Sequence, residues 1–233
     1  MNKNKLQQLK LNKKQAKAKR NRSVNQRHEI VRFLIVCEGT KTEPNYFSAL
    51  INRYSSIKEV LIKGEGRTTV ALVKKAQQIK EKEEKISELK FDRVWVVFDQ
   101  DDKPDFNEAI LLARRLKMKT AWSNEAFELW YILHFQYLDT GITRKAYIEK
   151  LENIIRERTD RKDFKYEKGD EYFYNILKEA GGNEEMAKSH AKQLREKYHG
   201  TDYNSFKPCT YVDILVDELE NTDKIIEEIN KSC

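Results

Sequence analysis

Four short apolar runs alternate with amphipathic stretches through the first 138 residues of the chain. Phe33–Cys37 is continuously apolar and stops at Glu38-Gly39. Val60–Ile62 is shorter and stops at Gly64-Glu65-Gly66. Val94–Phe98 stops at Asp99-Gln100-Asp101-Asp102, and Lys119–Trp122 forms the fourth run. A brief apolar run bounded by turn residues predicts a strand buried on both faces. Between these runs the period changes. Pro44 opens a helical segment, where its missing N–H costs little. Thr68 is positioned to cap a helix over 68–89, with Val70, Val73, Ala76 and Ile79 on one face. Pro104 precedes a third helix containing Ile110, Leu111 and Leu116, and a fourth is predicted over Glu125–Phe135. Strand and helix in alternation predict an α/β fold, a parallel sheet with helices on both faces.

The pattern changes again near residue 140. No strand is predicted beyond it, and segments near 143–157, 170–180, 183–198 and 211–230 read as helices. Gly181-Gly182 and the stretch His199–Pro208 separate the later ones. At the other end, residues 1–27 show little apolar periodicity and are predicted to be a disordered basic arm. The expected partition is an arm over 1–27, an α/β domain over 28–138 and a helical C-terminal region over 139–233.

Composition changes the picture in one respect. The net charge of +7 is not spread evenly. Residues 1–27 carry ten Lys or Arg and no acid, which leaves 35 basic residues against 38 acidic ones in the rest. The basicity therefore resides in the arm, where it can attract phosphate without regard to sequence, or simply solubilise the chain. Three cysteines without metal spacing suggest a reducing cytoplasm. No apolar run reaches the length of a membrane span, and the N-terminal residues do not resemble a secretory signal.

The acids at the strand ends suggest chemistry. Ligands of open parallel sheets bind outside the carboxyl ends of the strands. Glu38 closes the first predicted strand, and Asp99 and Asp101 close the third. In an extended segment, Asp-x-Asp puts both carboxylates on one side. Hard oxygen ligands converging there suit Mg²⁺, with Mn²⁺ as an alternative. The competing reading is that such acids merely cap the next helix, the role also open to Asp102.

The motifs VCEGTKTEPNYF (36–47), VWVVFDQDD (94–102), SNEAFELWYILHF (123–135) and NSFKPCTYVDILVDEL (204–219) resemble the RloB family, a Toprim branch linked to bacterial phage defence. The Glu and Asp-x-Asp positions also resemble the wider Toprim domain of topoisomerases, primases and OLD-family nucleases. The resemblance spans roughly residues 28–220. It implies a Toprim-like fold, metal-dependent nuclease activity on nucleic acid, and a separate ATPase partner. A separate chain is needed because no P-loop motif is present.

Carried over by position, the resemblance implies catalytic roles for Glu38, as metal ligand or general acid/base, and for Asp99 and Asp101 as metal ligands. Glu128 is a candidate catalytic carboxylate for a second metal, or a buried acid at a helix start paired with a lysine. Glu43 lies near the same crevice, or favours its helix dipole. Lys41 and Arg67 are candidate phosphate contacts, or loop cations. Asn124 can orient Glu128 or touch substrate. His134 is expected to be structural.

Two functional classes remain: an endonuclease, with RNA such as tRNA not separated from DNA, and a non-catalytic subunit that docks on the ATPase. A topoisomerase-like enzyme with a nucleophilic Tyr is a weaker third. Self-association stays open.

Overall fold

The computed structural model describes residues 30–53, 58–66 and 69–231. The basic arm, Arg67 and the cap expected of Thr68 lie outside the described residues.

Five strands form one sheet in the order β2-β1-β3-β4-β5. They are β1 (Val31–Cys37), β2 (Lys58–Gly64), β3 (Arg93–Asp99), β4 (Lys119–Asn124) and β5 (Cys209–Thr210). The first four pair in parallel, as the apolar runs predict, and β5 pairs antiparallel to β4. This fifth strand corrects the expectation of a strand-free C-terminal region. Two residues are too few to carry a period, and long-range bonds hold them. The Tyr211 N–H donates to Trp122 O at 2.9 Å, and the Ser123 and Thr210 hydroxyls are 2.9 Å apart.

Successive side chains of a strand point to opposite faces, and the two faces are covered differently. Leu34, Val36, Val96, Phe98 and Trp122 pack beneath α2 (Thr69–Ser87) and α3 (Phe106–Arg115). Phe33, Ile35, Cys37, Trp95 and Val97 pack beneath α1 (Thr42–Ile51) and α4 (Glu128–Leu133). The same cluster continues into α5 (Arg144–Arg158), α6 (Phe173–Glu179), α7 (Glu184–Arg195), α8 (Val212–Glu220) and α9 (Thr222–Lys231). The helical C-terminal region therefore forms the second layer over one face of the sheet.

Several element ends differ from expectation. The first helix begins at Thr42, so Pro44 occupies its first turn, where the backbone N–H has no helical acceptor. The second helix is capped from a distance. Thr69 Oγ1 donates to Asp105 Oδ1, and the Val70 N–H donates to Asp105 Oδ2 at 3.1 Å. Asp105 thus ties the start of α2 to the start of α3. The fourth helix is shorter than 125–135 because its ends tighten. Leu129 N donates to Ala126 O at 3.0 Å and Phe135 N to Ile132 O at 2.9 Å, both one residue short of a helical bond. The stretch 211–230 is two helices, broken where Asn221 leaves helical backbone.

Extra bonds beyond the strand ends align one edge of the sheet. Glu38 N donates to Val97 O at 2.8 Å, Gly66 N to Glu38 O at 2.9 Å, and Gln100 N to Ser123 O at 3.0 Å. Glu38, Asp99 and Asn124 are brought to a common carboxyl edge by this ladder.

Candidate active site at the carboxyl edge of the sheet

Four acids meet above that edge. Glu38 follows β1, Glu43 lies in the first turn of α1, Asp99 ends β3, and Glu128 begins α4. Glu43, Asp99 and Glu128 retain only 4%, 7% and 2% of their surface. Asp101 stands at the exposed rim. It is not in an extended segment as expected. Asp101 and Asp102 turn the chain with positive φ values of 38° and 58°. Asp101 still faces inward, because it shares a partner with Asp99.

That partner is Arg144, the first residue of α5. Its guanidinium donates to Asp99 Oδ2 at 2.6 Å and to Asp101 Oδ2 at 2.9 Å. Its Nε lies 3.7 Å from Glu128 Oε2, too far for a hydrogen bond. A second cation, Lys103, donates to Glu38 Oε1. Four acceptor or donor atoms in this crevice are buried without a hydrogen-bond partner: Glu38 Oε2, Glu43 Oε2, Glu128 Oε2 and Arg144 Nε. Native proteins rarely leave such groups unpaired, since each costs about 1–3 kcal/mol.

The electrostatics follow from crowding. Burial pushes the Asp99 carboxyl well above its usual pKa, and the charges of Glu43 and Glu128 add to the shift against the pull of Arg144. Burial also raises Glu43, opposed by its own backbone N–H and by Lys168, and reinforced by Glu128 and Glu38. Burial would lower the pKa of Arg144, but Asp99, Glu128 and Asp101 outweigh it and hold the guanidinium charged. Tyr166, whose hydroxyl is buried beside Glu128, is raised by burial, then by the charges of Glu128 and Glu43 and by its contact with Glu128.

Gly39 makes this packing feasible. A Cβ at position 39 would collide with the Glu43 carboxylate. The Glu-Gly pair therefore lets a second acid stand directly against the chain beside the first.

A family model described as RloB-like protein matches residues 33–219. The chain belongs to the RloB-like family. No curated protein and no solved structure matches it. The matched span of this RloB-like protein includes every residue of the crevice.

Not all the predicted site residues arrive there. Lys41 is exposed at the N-cap of α1, with its stem against Gly169. Asn124 is buried, but its amide donates to the Asn204 carbonyl at 3.0 Å, while its Oδ1 has no hydrogen-bond partner. His134 lies in the aromatic core, 3.4 Å from the Tyr46 hydroxyl, and burial lowers its pKa to about 3. Arg144, Lys103 and Tyr166 are the residues that sequence reasoning missed. Nothing distinguishes two cations among 45 Lys and Arg, and Tyr166 lies in an irregular segment between α5 and α6.

Every oxygen gathered here belongs to a carboxylate, the donor type that a hard divalent cation takes; three are orphaned, and burial first and mutual repulsion second raise two of the acids. Among the described residues, no three His, Cys, Asp or Glu stand close enough together to hold a metal as positioned. Arg144 and Lys103 supply the positive charge in this arrangement. No helix among the described residues is long and apolar enough to cross a membrane.

Proposed function

We propose that this chain is a divalent-cation-dependent endonuclease that hydrolyses nucleic-acid phosphodiesters, either RNA such as tRNA or DNA. The observation that carries this reading is the buried carboxylate cluster with three orphaned oxygens at the carboxyl edge of a parallel sheet. Glu38, Asp99 and Asp101 would hold Mg²⁺ or Mn²⁺, with Glu128 as a further carboxylate. The chemistry supplied by a bound Mg²⁺ is neutralisation of phosphate charge and activation of an attacking water.

The chain's own groups supply the remainder. Glu43, with a raised pKa, is suited to take and return a proton at Oε2. Exposed Lys41, Arg67, and the ten cations of residues 1–27 are suited to the phosphate backbone. The family resemblance supports a role as a cytoplasmic effector of phage defence, controlled by a separate ATPase.

A second reading has one observation in its favour. Arg144 and Lys103 already engage the carboxylates, as they would in a non-catalytic subunit that docks on the ATPase.

The test is incubation of the purified chain with mixed tRNA and with plasmid DNA, in Mg²⁺, Mn²⁺ or EDTA, beside an Asp99→Ala, Asp101→Ala double variant. Cation-dependent cleavage lost in the variant is expected, and its substrate names the class. Absence of cleavage with the ATPase also present would sink the endonuclease reading.

A further inference from the structure

We propose that Arg144 is a resident counter-ion of the carboxylate cluster, and that a divalent cation must displace its guanidinium in order to bind. The inference rests on reading the crevice as a divalent-cation centre, and adds a regulatory role for a residue of this chain.

Four observations carry it. The guanidinium reaches carboxylates from three separate elements: Asp99 from β3, Asp101 from the turn after it, and Glu128 from α4. It thus occupies the point on which these acids converge, the position a shared cation would take. Next, the fit is incomplete. Arg144 Nε and Glu128 Oε2 are both buried and both unpaired, although only 3.7 Å separates them. An arginine serving only as a staple would close that gap, since each unpaired group costs free energy. A smaller cation with several ligand positions can satisfy what the planar fork leaves orphaned.

Third, the side chain has a way out. Its relative exposure is 26%, against 2% for Glu128. Fourth, the backbone of Arg144 is anchored independently of its head. Thr143 Oγ1 accepts from the Ala146 N–H at 3.3 Å, and Glu125 Oε1 accepts from the Arg144 N–H at 3.4 Å. Helix α5 can therefore keep its start while the guanidinium leaves.

The two cations compete for the same oxygens, so the intrinsic affinity of the cluster for metal is reduced by the free energy of the arginine contacts. Without any cation the acids repel one another. The arginine keeps the crevice folded in the metal-free state, at the expense of metal affinity.

The experiment titrates Mn²⁺ calorimetrically into the full chain. Thermal melts follow in EDTA and in Mn²⁺, for the unaltered chain and for Arg144→Gln, Arg144→Lys and Asp99→Asn. Arg144→Gln is expected to bind Mn²⁺ about tenfold tighter, to melt lower in EDTA, and to gain more from Mn²⁺ than the unaltered chain. Arg144→Lys should fall between the two, because a point charge cannot bridge three carboxylates. It also carries the test should the Gln variant not fold. Asp99→Asn should abolish binding. Unchanged or weaker Mn²⁺ binding in both Arg144 variants, with the unaltered chain binding normally, overturns the displacement inference and leaves the metal centre standing. Failure of all four chains to bind Mn²⁺ overturns the metal centre and the inference together.

Discussion

Asp99 and Glu184 expose similar fractions of their surface, 7% and 8%, but Asp99 lies deeper beneath its neighbours, and their carboxyls are shifted in opposite directions. Glu184 begins α7, where it accepts from the Tyr174 hydroxyl and from Lys178 Nζ, each at 2.6 Å. Burial raises its pKa, but Lys178 and Tyr174 outweigh burial and bring it below the ordinary value. Asp99 is raised well above the ordinary value by burial, and then by Glu43 and Glu128, despite its bond to Arg144. The chain thus satisfies a buried acid fully where it serves the fold. At the sheet edge it gathers more carboxylates than the neighbouring cations satisfy, and three of their oxygens are left unpaired.

The predictions test that contrast. The largest effect is expected at Asp99. Replacing it with Ala should lower cation-dependent cleavage by about a thousandfold, measured as an initial rate, and leave the urea midpoint nearly unchanged. Glu184→Ala should do the reverse. It should cost about 3 kcal/mol in urea unfolding, because Lys178 and Tyr174 lose their buried acceptor, with the cleavage rate retained. A destabilised Asp99→Ala beside an indifferent Glu184→Ala would break the comparison.

His134 sharpens it on the pH axis. Its folded pKa is depressed from 6.5 to about 3 by burial, with opposing help from Glu184. Between those values the unfolded chain binds more protons than the folded one. The stability contributed by neutral His134 is complete above 6.5 and drains away as pH falls toward about 3. His134→Gln should flatten that part of a stability-against-pH curve. An equal slope in both proteins would refute the assignment.

The smallest stability effect is expected at Gly39. A Cβ there meets the flexible end of Glu43, so Gly39→Ala should cost about 1 kcal/mol or less while pushing Glu43 out of the crevice. Calorimetry should then detect altered Mn²⁺ affinity in a protein of nearly normal stability. Unaltered affinity would remove Glu43 from the site.

How legible this was in the sequence depends on distance along the chain. Strands buried on both faces announce themselves as apolar runs, and the residue that ends each run is local information. Glu38 and Asp99 were therefore readable as acids at strand ends, as was the α/β class, while the turn at Asp101 was not. Arg144 was not, because its role exists only once α5 packs on α4 and its guanidinium reaches Asp99, 45 positions away in sequence. Strand β5 was hidden for the same reason: Thr210 is defined by Ser123 and Trp122, not by its neighbours. The break at Asn221 and the shortening of α4 arise from backbone geometry at helix ends, where the apolar pattern continues undisturbed.

Asn204 has a consequence for the order of events in synthesis. Its carbonyl accepts from Asn124 at 3.0 Å, its N–H donates to Asn107 Oδ1 at 3.1 Å, and its side-chain oxygen accepts from Gln100 at 3.4 Å. One late residue thus joins the ends of β3 and β4 to α3. Chains emerge from the ribosome N-terminus first. A nascent chain that has delivered all of its crevice acids still lacks this clasp and the β5 edge until about 70 further residues have followed Arg144 into solution. All the acids are made by Glu128, and the crevice is among the last parts to be finished.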